Sequence, residues 1–103
     1  MDFSGFEYYC ETPGVGLSSK GKSYKNAIHY LCDFLKISTS SFSSKDIEIL
    51  KSKEYELSST GSEFYKDLMK YLTANGKSSY LRNGFIKAAL PYFYDYCKLQ
   101  NIK

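Results

Sequence analysis

One histidine, one arginine, two prolines and three cysteines in 103 residues leave little material for catalysis. A single histidine removes the His pairs that metal sites and acid–base relays rely on, and His29 reads as a boundary residue or local hydrogen bonder. Cys10, Cys32 and Cys97 are odd in number and widely spaced, against both a disulfide framework and a Cys-rich zinc site. Cys32 and Cys97 fall on apolar helical faces and are expected to be core thiols. Gly14-Val15-Gly16 is too short for a phosphate loop. Asp33 and Asp95 each lack a second acid at useful helical spacing, and Asp46 and Glu48 point in different directions on a helix. No apolar run reaches the roughly 20 residues of a membrane span. The opening Met1-Asp2-Phe3-Ser4-Gly5-Phe6 has neither the basic start nor the apolar stretch of a signal peptide. The expectation is a cytoplasmic, non-enzymatic domain with no cofactor, no metal and no membrane partner.

What is abundant is aromatic. Eleven tyrosines and seven phenylalanines make 17% of the chain, which favours an ordered core over disorder. The length suits one domain. Two segments 62 residues apart echo one another: Ala27-Ile28-His29-Tyr30-Leu31-Cys32-Asp33-Phe34 and Ala89-Leu90-Pro91-Tyr92-Phe93-Tyr94-Asp95-Tyr96. Tyr30 falls on Tyr92 and Asp33 on Asp95. Each segment carries one apolar helical face.

The spacing predicts an all-α fold, a compact bundle of four or five helices with an irregular N-terminal arm. The arm, residues 1–22, is Gly/Ser-rich; its Phe3, Phe6, Tyr8 and Tyr9 are expected to pack across the body as irregular chain or a short strand. The helical domain spans 23–98, and residues 99–103 are expected to fray. A first helix over about 23–36 buries Tyr24, Ala27, Ile28, Leu31, Phe34 and Leu35. Phe42 anchors the serine-rich loop that follows. Ser43 and Asp46 have capping-box spacing for a short helix over about 44–52. Thr60 and Glu63 suggest the start of the next helix, and Asn75-Gly76 its end. A last helix, capped by Ser78 or Ser79, keeps Leu81, Phe85, Ala88, Ala89, Tyr92, Phe93 and Tyr96 in one phase, with a kink rather than a break at Pro91.

Charge is unevenly divided. Residues 1–18 carry a side-chain balance of −3, and residues 19–103 one of +6. The basic groups cluster at two helix starts: Lys20, Lys22 and Lys25 with Ser18, Ser19 and Ser23, and Lys77 with Ser78 and Ser79, followed by Arg82 and Lys87. Open amides, serine hydroxyls and lysines suit a nucleic-acid phosphate. Arg82 and Asn83 have the chemistry for reading bases.

Ser23-Tyr24-Lys25-Asn26-Ala27-Ile28-His29-Tyr30-Leu31 resembles the first helix of small helical domains fused ahead of nuclease or recombinase modules. Ser79 through Cys97, with Tyr80, Phe85, Ala89-Leu90, Phe93 and Tyr96, resembles their closing helix. Such domains stand at the N-termini of some restriction endonucleases, and a similar SAM-like core-binding fold precedes the catalytic domain of tyrosine recombinases. The resemblance implies a non-catalytic accessory domain that contacts double-stranded DNA for a larger DNA-processing protein, beside a downstream nuclease or recombinase domain. By that analogy Lys20, Lys22, Lys25, Lys77, Ser79, Arg82 and Lys87 hold the phosphates. The chain departs from a strong clamp in its single arginine and its acidic arm. The alternative is a protein-interaction or oligomerisation module, including a small phage or mobile-element protein. Tyr94 is then the contact residue, because Tyr92, Tyr94 and Tyr96 cannot share one helical face.

Overall fold

The computed structural model describes residues 4–12, 20–39 and 41–100. Among them are six α-helices and no strand: α1 (Ser4–Glu11), α2 (Gly21–Leu35), α3 (Ser44–Glu54), α4 (Glu63–Ala74), α5 (Ser79–Arg82) and α6 (Phe85–Leu99), with a 3-10 turn at Tyr55–Ser58 after α3. The fold is all-α, a small helical bundle.

The first difference from the expected architecture lies at the N-terminus. The described part of the supposed irregular arm is a helix. Phe6, Tyr9 and Cys10 recur at three and four residues and face the body; Phe6 and Cys10 are fully buried. Phe6 meets Phe93 edge-on at 5.2 Å and lies 5.7 Å from the Tyr96 ring. An eight-residue helix is too short to persist alone, so α1 owes its existence to this packing. Phe3 and residues 13–19 of the expected arm lie outside the described residues, as do 101–103 in the expected fraying tail.

The two echoed segments become α2 and α6, the two central helices, packed against each other. Tyr24 of α2 touches both Phe85 and Tyr92 of α6, at 6.3 and 6.0 Å between ring centroids. α1 covers one flank of α2, while Tyr30 against Tyr80 and Phe34 against Phe64 and Tyr71 mark the flank covered by α5 and α4. Phe42 does anchor its loop, edge-on to Phe93 at 5.3 Å. All three cysteines are buried and reduced.

Helix ends follow local chemistry. Ser43 and Asp46 form the expected capping arrangement, the Ser43 amide donating to Asp46 Oδ2 at 2.9 Å. The next helix starts differently from the expected Thr60–Glu63 box. Ser62 is its cap, accepting the Tyr65 amide at 3.1 Å while its hydroxyl donates to the Glu56 carbonyl at 3.2 Å. One serine thus ties the helix start to the 3-10 turn, and Glu63 becomes the first helical residue. α4 ends as expected at Gly76, whose φ of 69° closes the turn.

The expected single last helix is two. Gly84 takes φ 77°, which only glycine adopts without strain, and it separates the four-residue α5 from α6. Leu81 therefore reaches the core from its own turn, and Ala88 is exposed rather than in the apolar face. α6 then runs unbroken through Pro91, which lies one turn from Lys87 on the exposed face, where the carbonyl it deprives of a partner meets water.

Candidate nucleic-acid interface

The two basic starts converge. Asn26 Nδ2 lies 3.5 Å from Tyr80 Oη, and the Tyr30 and Tyr80 rings stack 5.5 Å apart. These contacts, made by Tyr80 alone, join α5 to the middle of α2. Lys22 is one turn before Asn26 and Arg82 is two residues after Tyr80, so two segments some 60 positions apart come near one another, with the Arg82 side chain turned to the side of α5 away from Tyr80. Lys20, Lys22, Ser79 and Arg82 are exposed there. Lys20 caps α2 with no side-chain hydrogen bond, and the first turn of α2 holds no acid of its own.

Other expected contributors are placed differently. Lys25 is partly buried and pairs with Glu7 of α1 at 3.0 Å. Lys77 is partly buried at the exit of α4, where its amide donates to the Leu72 carbonyl at 2.8 Å. Lys87 projects from the side of α6 opposite Phe85 and Tyr92, away from the α2–α5 edge. α5 is a single turn, so the expected strong helix terminus at Ser78 or Ser79 is not built. Instead the Arg82 guanidinium donates back to the Ser78 hydroxyl at 2.8 Å. Asn83 sits in the turn after α5 rather than on an exposed helix.

Sequence reasoning missed how closely α1 approaches this edge. A Cβ on Gly21 would stand 2.8 Å from the Glu7 carbonyl oxygen, 2.7 Å from Glu11 Cγ and 2.9 Å from Glu11 Oε1. The signal available was the acidic balance of the first segment, which gave no hint of where its carboxylates lie.

Tyr94, expected as the contact residue among Tyr92, Tyr94 and Tyr96, is partly buried. Its hydroxyl donates to Glu54 Oε1 at 3.0 Å, and Lys51 Nζ lies 5.4 Å over its ring. Burial and the Glu54 carboxylate push the Tyr94 hydroxyl far up from its ordinary 10.0. The prominently exposed tyrosines are Tyr8 and Tyr55, at 82% and 85%.

The rest of the structure offers little chemistry. His29 and Asp33 form a surface pair at 3.2 Å. Burial raises the Cys32 and Cys97 thiols to about 12, and burial with Glu11 and Glu7 nearby raises Cys10 to about 11. Such thiols stay protonated and are poor nucleophiles. Among the described residues no group of three His, Cys, Asp or Glu side chains could hold a metal ion, and no helix is long and apolar enough to cross a membrane. A shallow, open depression runs along α4 from Glu63 to Lys70. Comparison with family models, with curated proteins and with solved structures finds no match to this chain.

Proposed function

We propose that this chain is a non-catalytic DNA-contacting module whose α2–α5 edge lies against duplex phosphates on behalf of a larger DNA-processing protein carrying a nuclease or recombinase domain. One observation supports the reading: through Tyr80, the Asn26 and Tyr30 contacts draw together two Lys/Ser/Arg segments that are far apart in sequence. Lys20, Lys22 and Arg82 supply cations and Ser79 a hydroxyl, the groups that position a protein on a phosphate backbone without reading sequence.

The test is binding of a labelled 20-base-pair duplex across a salt series. Affinity falls as salt rises, and Lys22→Ala and Arg82→Ala each flatten the log–log slope by about 0.9 to 1. Lys87→Ala, on the opposite side of α6, leaves the slope unchanged. No binding at the lowest salt overturns the proposal.

A second reading, a protein-interaction module, draws on the exposed Tyr55 and Ile49, at 85% and 41%. Large exposed aromatics are frequent at interface centres. Concentration-dependent self-association that Tyr55→Ser abolishes is its expected signature; a monomer at every concentration removes the self-associating form.

A further inference from the structure

We infer that α1 is a built-in electrostatic mask, its Glu7 and Glu11 competing with DNA phosphate for the basic start of α2. The inference rests on the DNA-contacting reading above and adds a control that the reading does not require. The Glu7 carboxylate holds Lys25 Nζ at 3.0 Å, with both side chains about two-thirds buried (27% and 32% exposed). One turn further along α1, the Glu11 carboxylate stands beside Gly21, between the exposed Lys20 and Lys22.

This placement is not a loose surface coincidence. Phe6 and Cys10 alternate with the two glutamates along α1 and are fully buried, so seating the apolar stripe fixes where Glu7 and Glu11 point. Gly21 has no Cβ, and one there would press on the Glu7 carbonyl oxygen and hold the helices apart. A carboxylate at 3 Å from a lysine takes the position and the donors that a phosphate oxygen would use. Net charge therefore misstates this edge. Of the three lysines at the start of α2, one is internally neutralised, and a carboxylate stands beside the backbone that joins the other two. Binding at physiological salt is attenuated, and only a site with several closely spaced phosphates outcompetes the mask.

The experiment measures affinity of the full chain for the same labelled duplex, in Glu7→Gln, Glu11→Gln and the double variant, at about 50 and 200 mM salt. Glu48→Gln, an equal charge change on the exposed face of α3, is the control. Glu7→Gln binds about two- to fivefold tighter at low salt, as expected for release of a partly exposed ion pair, Glu11→Gln gains less because it removes only a nearby charge, and both gains shrink at high salt. A mutant cycle adds a readout that overall charge does not move. Lys25→Ala costs little in the otherwise unaltered chain, where Glu7 already occupies Lys25, and costs severalfold in the Glu7→Gln background. Gains no larger than that of Glu48→Gln, or a Lys25 effect indifferent to Glu7, overturn the mask while leaving DNA binding intact. If neither the unaltered chain nor any variant binds at 50 mM salt, the DNA reading itself fails and takes the mask with it. Unchanged thermal unfolding of each variant excludes misfolding as the cause.

Discussion

The α1–α2–α6 side of the molecule and the α3 side are held by different forces. α6 alone buries Ile86, Ala89, Leu90, Phe93, Tyr96 and Cys97, whereas Leu50 is the one fully buried side chain of α3. α3 is instead attached through polar and charged contacts: Tyr94 to Glu54, Lys51 over the Tyr94 ring, and Lys53 over Phe64 at 5.2 Å. Apolar burial is non-directional and insensitive to salt and pH, whereas a carboxylate–phenol bond and cation–π contacts are directional and respond to both. The first side should behave as the global core, and α3 as the element that opens first.

The largest expected effect tests that division directly. Phe93 is fully buried and meets Phe6 and Phe42 edge-on, so it joins α6, α1 and the loop before α3. Phe93→Ala is expected to cost about 3–5 kcal/mol, a large share of the stability of a domain this size. Chemical denaturation should show a single lowered transition. Separate transitions for different helices would break the picture of one central core.

Gly21→Ala comes next. Its Cβ would meet the Glu7 carbonyl, which belongs to backbone and cannot swing away, so α1 must shift off α2 at a cost of about 1–3 kcal/mol. Gly5→Ala would press on the buried Tyr96 side chain, at its hydroxyl oxygen and at Cζ 3.3 Å away, and should cost a similar amount by pushing α1 off α6. No loss on Gly21→Ala would show that α1 is not seated by its crossing at Gly21.

Tyr94→Phe sharpens the comparison from the polar side. It removes the hydroxyl bonded to Glu54 and keeps the ring beneath Lys51, for an expected loss of about 1–2 kcal/mol. In hydrogen exchange, α3 amides should lose protection while those of α2 and α6 keep theirs. Alkaline pH, by contrast, should weaken both sides. The folded chain holds the Tyr94 hydroxyl above its ordinary 10.0 and the Cys32 and Cys97 thiols above 9.0, up to about 12. Stability from these groups is therefore complete below pH 9, where both states are protonated. It is lost as pH rises and the unfolded chain ionises first. A stability curve flat through pH 10 would contradict the burial of all three groups.

These contrasts also mark what was legible in the sequence. α2 and α4 are long enough for their apolar residues to repeat at three and four, and their tertiary neighbours only reinforce a local pattern. α1 is two turns long, and Gly5 and Tyr8 blur its Phe6, Tyr9 and Cys10 stripe; its helicity comes from Phe93 and Tyr96, which lie far along the chain. Gly84 was visible as a glycine, but a permissive residue does not announce whether it will permit a close approach or a left-handed turn. Tyr94 was expected to face outward because it cannot share a helical face with Tyr92 and Tyr96, but a single helix says nothing of the Glu54 waiting on α3. The basic segments of the candidate interface were readable by composition. Their convergence through Tyr80, and the neutralising role of Glu7, depend on contacts between elements and had no local signature.

The smallest effect concerns two helix exits built on the same motif. At the end of α4, Gly76 donates to the Thr73 carbonyl at 3.1 Å and Lys77 to Leu72 at 2.8 Å. At the end of α2, Lys36 donates to Asp33 at 3.2 Å and Ile37 to Cys32 at 2.9 Å, the same pair of bonds that closes a helix through a left-handed residue. Only the residue differs: Lys36 holds φ 60°, and among the described residues it is the sole non-glycine with positive φ. A side chain there costs about 1–2 kcal/mol. Ile37, buried to 8% exposure, lies directly after it, so core packing holds the strained turn in place. Lys36→Gly should relieve the strain and lose about 0.4–1 kcal/mol of it to the freer unfolded chain, for a net gain of about 0.5 kcal/mol. The reverse change, Gly76→Ala, should cost about 1 kcal/mol, because nothing crowds its Cβ and only backbone strain is added. Denaturant midpoints moving in opposite directions with unchanged slopes would confirm that α2, on the strongly packed side, tolerates strain that the exit of α4 is spared. A loss on Lys36→Gly would instead place the value of Lys36 in its side chain.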